Sequence, residues 1–556
     1  MIFRYTALLL ALSGWAHAQQ APAPVPEPAR TGFTISDTQL EVTLQPAQSM
    51  AEITGKLTIR NDGNTALSQI FLQLTSAARW QHVDRGSTPL EMTTHRVPSD
   101  VDHTAFVEEA RITLDRPLPA RASTEVNIAY GLTVKLESAR LRAAGAPESA
   151  AQTTDWDRIS PEFTAVRGVG YVLWYPVALT PAMLAEGNSV FQAIAEWRAH
   201  EQQSRFSVTV HDGARTATKT YAPLGTTVPV LTAPADFAPS QDGVEIVRGA
   251  EKPGAIAIKL NTLQFVRAWL PPQSNDIVVW TLPEPGDLPF SSGSEIFVPP
   301  GVRDPDLQAL TMYAFTHAAL HSDRAWIQEG YAAFLDAEFR ESDVGRDSAI
   351  AFLDDRIGGL ALSEPSDETS NTALTSLINS PEEIRFRTKA MFVWWMLHDI
   401  LGDSAVQRAI KAYKASDDRD AYYMQRLLER ESGRDLSWLF NDWIYRDRGL
   451  PELSISEASY RRVLGGGYVA QVVVANDGGA AASVRVFVQG DAPKSGLGAE
   501  LKETRIQVAA HAKATASVSM QSVPTRAQVN DGSVPETDMQ NDEADFAVAG
   551  AAAKHP

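Results

Sequence analysis

Along residues 33–44 apolar and polar side chains alternate, from Phe33 and Ile35 to Leu40, Val42 and Leu44. A period of two places every second side chain on one face of a strand, which is the pattern of a half-buried sheet. Similar runs occur at 53–60, 70–74, 126–134 and 206–210, separated by turn formers such as Asn61-Asp62-Gly63 and Asp212-Gly213. Residues 32–250 therefore predict an N-terminal antiparallel β-sandwich domain. The period lengthens after Pro253. Apolar residues take helical spacing over 255–270, a buried strand follows at 277–280, and helical patterns cover 307–339, 348–356, 384–401, 404–414, 420–431 and 436–447. Pro451 closes this mostly helical central domain, 251–452. Alternation returns at 468–475, 484–488, 505–508 and 514–520, predicting a C-terminal β-sandwich domain over 453–545, with 546–556 as a disordered tail. The expected fold class is multidomain α+β.

Composition narrows the setting. The 556 residues carry a formal charge of −19, which argues against nucleic acid or an anionic membrane as the main partner. Residues 1–18 read as a signal peptide: Arg4 supplies a positive start, Thr6 to Leu12 a short apolar core, and Ala16-His17-Ala18 a small-residue cleavage site. Residues 19–31 form a Pro/Ala linker. No stretch reaches the roughly 20 apolar residues of a membrane span, so the expected location is exported, periplasmic or secreted. There are no cysteines, which leaves histidine and carboxylates as metal ligands.

The chemistry concentrates at His317-Ala-Ala-Leu-His321. Two histidines four apart on a helix share a face and can reach one metal ion. A zinc peptidase helix of this kind carries a glutamate after the first histidine, the base that takes the proton from zinc-bound water. Here that position is Ala318. Soon after comes Trp326-Ile-Gln-Glu329-Gly-Tyr-Ala-Ala-Phe334, followed by the run Lys389 to Gly402, by Glu431-Ser-Gly-Arg-Asp-Leu-Ser-Trp-Leu-Phe440 and Trp443, and by Gly449-Leu-Pro451.

These segments resemble the gluzincin zinc aminopeptidases of the membrane alanyl aminopeptidase family over about residues 255–452. The resemblance implies a thermolysin-like (zincin) central domain between two sandwiches, zinc as cofactor, His317, His321 and Glu329 as its ligands, and peptides or protein substrates as partners. The departures run the other way. Only seven residues, Ser322 to Gln328, separate His321 from Glu329, far fewer than in that family. A turn at Ser322-Asp323 would still bring Glu329 about 7 Å back along an antiparallel helix, level with the histidine pair. Arg387 stands where the family has a tyrosine for the oxyanion. The strand that grips a peptide's amine is replaced by Ser291 to Phe297, with Glu295 its only carboxylate. With no catalytic residue assignable, the expected function is an aminopeptidase-like protein of impaired catalysis, zinc- and peptide-binding. Two alternatives stand beside it: an active zinc peptidase using another base such as Glu295, and a metal-free structural or interaction protein. The acidic residues Asp531, Glu536, Asp538 and Asp542 read as a solvated loop, with Ca²⁺ binding as the competing reading.

Overall fold

The computed structural model describes residues 30–546, except 188, 226, 236–243, 248–257, 273–276, 364–375, 379, 381 and 492–498. The expected signal peptide, nearly all of the linker and tail, and the first domain boundary lie outside the described residues.

The N-terminal region has two main sheets and a small one of Leu231–Thr232, Thr164–Val166 and Arg158–Ile159. The largest has seven strands in the order Arg215–Tyr221, Arg205–Asp212, Phe33–Gln45, Met50–Asn61, Ser123–Thr133, Ala78–Arg85 and Thr88–Pro89. All pairings are antiparallel except Phe33–Gln45 with Arg205–Asp212. A three-stranded sheet of Leu67–Thr75, Phe106–Leu118 and Glu91–Pro98 shares its core. The alternation of the first strand is realised: Leu40, Val42 and Leu44 are buried, while the residues before each of them, Gln39, Glu41 and Thr43, are exposed. Burying one apolar face against a second sheet is what stabilises such a strand.

A mixed four-stranded sheet, Val244–Val247, Ile277–Thr281, Glu295–Val298 and Phe290–Ser292, leads into the helices. The 307–339 pattern is two helices, Asp304–Leu320 and Ala325–Asp343, because the chain turns at 321–324. Arg346–Ser363 follows, and a wide π-type turn, Ile384–Lys389, opens helix Ala390–Leu401. Trp326 stacks on Trp394 at 5.4 Å. Helix Ala325–Asp343 approaches the start of helix Ala390–Leu401 so closely that a Cβ on Gly330 would lie 2.3 Å from Ala390 Cβ. Only glycine fits there.

The C-terminal region holds a three-stranded sheet, Leu453–Arg462, Tyr468–Asn476 and Ala512–Met520, and a four-stranded one, Leu501–Val508, Ala482–Gly490, Pro524–Val529 and Glu543–Asp545. Its apolar residues are continuous with the helical core. Trp443 bridges the two, its indole N–H donating to the Ala481 carbonyl at 2.8 Å. The architecture is thus β-rich, then helical, then β, a multidomain α+β chain. No described helix is long and apolar enough to cross a membrane.

Candidate functional site

Helix Asp304–Leu320 begins with Pro305 in its first turn and Asp304 and Asp306 at its positive end, a favourable start. It stops at His321, whose φ of 45° is left-handed. The turn that follows is fixed on both sides. Ser322 N–H donates to Gln328 Oε1 at 2.8 Å, Arg324 N–H to Ser322 Oγ at 3.1 Å, and the Tyr413 hydroxyl to Ser322 Oγ at 2.8 Å. Arg324 also pairs with buried Asp418 at 2.8 Å. Helix Ala325–Asp343 then carries Glu329 back against the first histidine, with His317 Nε2 2.7 Å from Glu329 Oε1.

A third member completes the group from the π-type turn. Arg387 Nη2 donates to Glu329 Oε2 at 2.8 Å, pairs with Glu383 through Nη1, and sits 5.0 Å from the Tyr313 ring centre. Burial works to raise the Glu329 carboxyl, but His317 and Arg387 outweigh it and hold the group well below the usual carboxylate range. Burial works to lower the Arg387 guanidinium, and Tyr313, Glu329 and Glu383 push it further up than usual. These three residues line a cavity of about 60 Å³, together with Tyr313, Ser291 and Arg198. Among the described residues, Nε of Arg198 and Nε of Arg387 are buried without a hydrogen-bond partner.

Zinc at this place needs three donors whose free lone pairs converge on one ion. The residues do not fit that requirement. His317 and Glu329 are engaged with each other, and the second Glu329 oxygen holds a guanidinium, whose charge repels a divalent ion. His321 stays out of the group. It lies one residue past the last helical position and its side chain is exposed, so the shared face expected of an i, i+4 pair is lost where the backbone turns left-handed. Of the expected ligand set, the structure brings together His317 and Glu329 and leaves His321 apart.

The other catalytic expectations are equally concrete. Ala318 packs against the helical core and offers no proton acceptor. Glu295, the alternative base, is buried and held elsewhere: Lys219 Nζ donates to both its oxygens at 2.7 and 2.9 Å, and the Trp280 indole N–H to Oε1 at 2.9 Å. Of the acidic residues expected in a solvated loop at 531–542, Asp538 is exposed and the others are buried or ion-paired. Glu536 and Asp542 are buried, Glu536 accepts the Leu453 N–H at 2.9 Å, and Asp531 pairs with Arg346 at 2.8 Å.

Sequence reasoning missed a different set. Among the described residues, the group of three metal-type donors whose atoms lie within 4.8 Å of one another is Glu338, Glu341 and His398. Their signal in the sequence is slight: a histidine directly after the apolar run Met391 to Leu397, and two glutamates three apart in the helix it packs on.

No family model matches the sequence, and no curated protein sequence matches it. Solved structures do resemble the fold. Aminopeptidase A of Legionella pneumophila, in complex with aspartic acid, superposes with a TM-score of 0.54 at 11% identity, covering 91% of this chain and 59% of that one. The chain thus spans about three fifths of that neighbour. The M1 zinc metallopeptidase of Deinococcus radiodurans gives a TM-score of 0.47 at 15% identity, over 76% of this chain and 96% of that one. The likeness to aminopeptidase A at 11% identity is one of fold: this chain has an aminopeptidase-like metallopeptidase fold.

Proposed function

We propose that this chain is a non-hydrolytic member of the aminopeptidase-like fold, whose former catalytic pocket serves to bind an anionic group such as the carboxylate of a peptide or amino acid. The observation that carries the reading is the group His317–Glu329–Arg387, in which two of the residues that the resemblance to gluzincins would make zinc ligands are engaged with each other and with a guanidinium. A hydrolytic site needs a nucleophile generated on the metal, a base beside it and donors aimed at the oxyanion. Ala318 supplies no base, and Glu295 is engaged with Lys219 and Trp280.

What remains suits binding. Arg387 and Arg198 each keep a buried Nε–H without a partner at the cavity. Buried donors that lack a partner favour a ligand that accepts hydrogen bonds, and guanidinium groups favour a carboxylate. Glu329, which also lines the cavity, holds Arg387 in place through Oε2.

Hydrolysis is the test. Zinc-supplemented protein, assayed with a panel of aminoacyl and dipeptide substrates, is expected to show turnover at the level of zinc alone, unchanged by His317→Ala. A kcat in the ordinary range of about 1–10³ s⁻¹, abolished by His317→Ala, would overturn the reading in favour of a working zinc peptidase.

A further inference from the structure

Beside the C-terminal sheets, three buried metal-type donor atoms face one another with no hydrogen-bond partner among the described residues. Glu338 and Glu341 lie three apart on helix Ala325–Asp343 and so share a face. His398 comes from helix Ala390–Leu401. Glu338 is 5% exposed and His398 8%. Glu338 Oε2, Glu341 Oε2 and His398 Nδ1 are all buried without a hydrogen-bond partner. The first and last stand 3.3 Å apart, yet their geometry makes no hydrogen bond.

The far side of the imidazole is already engaged. His398 Nε2 lies 2.7 Å from Asp403 Oδ1, and Nδ1 is the ring atom that faces Glu338 and Glu341. Three metal-ligand atoms that face one another in a buried place without hydrogen bonds leave polar groups unsatisfied, and an ion between them would satisfy all three.

We propose that Glu338, Glu341 and His398 are the protein ligands of a divalent transition-metal ion of the zinc class, oriented by Asp403. Two carboxylates and one imidazole, with no thiolate, suit a borderline ion. A carboxylate behind a ligating histidine, as Asp403 stands here, sets the tautomer and orients the ring. The surroundings give the ion a structural task. The imidazole is walled by Trp269, Phe334 and Trp395 at 5.6, 5.6 and 6.0 Å between ring centres. Arg346 stands 3.6 Å from Glu341 and reaches Asp399 and Asp531, while Asp399 takes Arg485 and Arg505 from the C-terminal strands. The ion ties the two helices together directly beneath their contact with the C-terminal region. This site is independent of the reading of the His317 pocket.

The test uses the full chain, stripped with a chelator, reloaded with Zn²⁺, desalted and analysed for metal per chain. Wild type is expected to retain about one ion per chain, the occupancy of a single three-ligand site. His398→Ala and Glu341→Gln are expected to lose it, and His317→Ala to keep it. Asp403→Asn is expected to weaken Zn²⁺ binding about 10–100-fold, the usual effect of removing such a supporting carboxylate. Should His398→Ala fail to fold, the other two variants decide, since the side chains of Glu341 and Asp403 are 28% and 63% exposed and tolerate exchange. Added Zn²⁺ is also expected to raise the Tm of wild type and not that of Glu341→Gln, because an ion bound only by the folded form stabilises it. Reloaded wild type that retains no ion, or an ion lost in His317→Ala but kept in Glu341→Gln, would overturn the proposal.

Discussion

If His317, Glu329 and Arg387 form one electrostatic unit, removing its members singly and together gives a non-additive result. Arg387→Gln takes the guanidinium away from the Glu329 carboxylate, whose side chain is 5% exposed. Breaking a buried ion pair from one side costs about 3–5 kcal/mol. Arg387 is itself 37% exposed, and solvent screening reduces the expected cost to about 2–3 kcal/mol. Glu329→Gln removes the charge both partners face and is expected to cost a similar amount, about 2–3 kcal/mol. The double variant leaves no buried carboxylate without its guanidinium, so it should fall short of the sum by about 1–3 kcal/mol. For a region of this size each single change is a Tm loss of roughly 4–10 °C. Thermal and urea unfolding followed by tryptophan fluorescence read the right place, because Trp326 and Trp394 stack in the core that carries Glu329. Losses that add to within about 0.5 kcal/mol would refute the unit, since that is the behaviour of independent sites.

Three further outcomes follow from the same structure. Ala318→Glu, which restores the base position alone, is expected to leave hydrolysis at background, and a gain of about 10²-fold or more, the usual worth of a general base, would contradict the ion-paired pocket. Gly330→Ala is expected to destabilise by about 1–3 kcal/mol, because the added methyl meets Ala390 Cβ at 2.3 Å. The gain of about 1 kcal/mol in helix propensity does not offset that, and an unchanged Tm would show that the helices can part. Glu329 is depressed in the folded state, so its contribution is complete above the ordinary carboxylate range and is lost as pH falls below it. The Tm advantage of wild type over Glu329→Gln should therefore shrink between about pH 5 and about pH 3, and a constant difference would sink the assignment.

Much of the fold was legible because it rests on local pattern. The alternation at 33–44 reports directly on which side chains of that strand are buried, and the segment from Trp326 to Phe334 is a buried helix. Even the short link from His321 to Glu329 could be tested by helical rise, and the turn lies where that geometry requires. The site was less legible, for physical reasons. The argument for a histidine pair assumes both residues are helical, yet His321 caps the helix in a left-handed conformation. Arg387 meets Glu329 across 58 positions of sequence, and no local pattern encodes such a pairing. The same holds for His398, which finds Glu338 and Glu341 only once two helices have packed through Gly330.

The most direct measurement is anomalous scattering at the zinc absorption edge from crystals of the full chain grown with Zn²⁺. The account predicts a peak among Glu338, Glu341 and His398, and none at the His317 pocket, where Arg387 remains on Glu329. A peak bonded to His317 and Glu329, with Arg387 displaced and His321 turned inward, would contradict it.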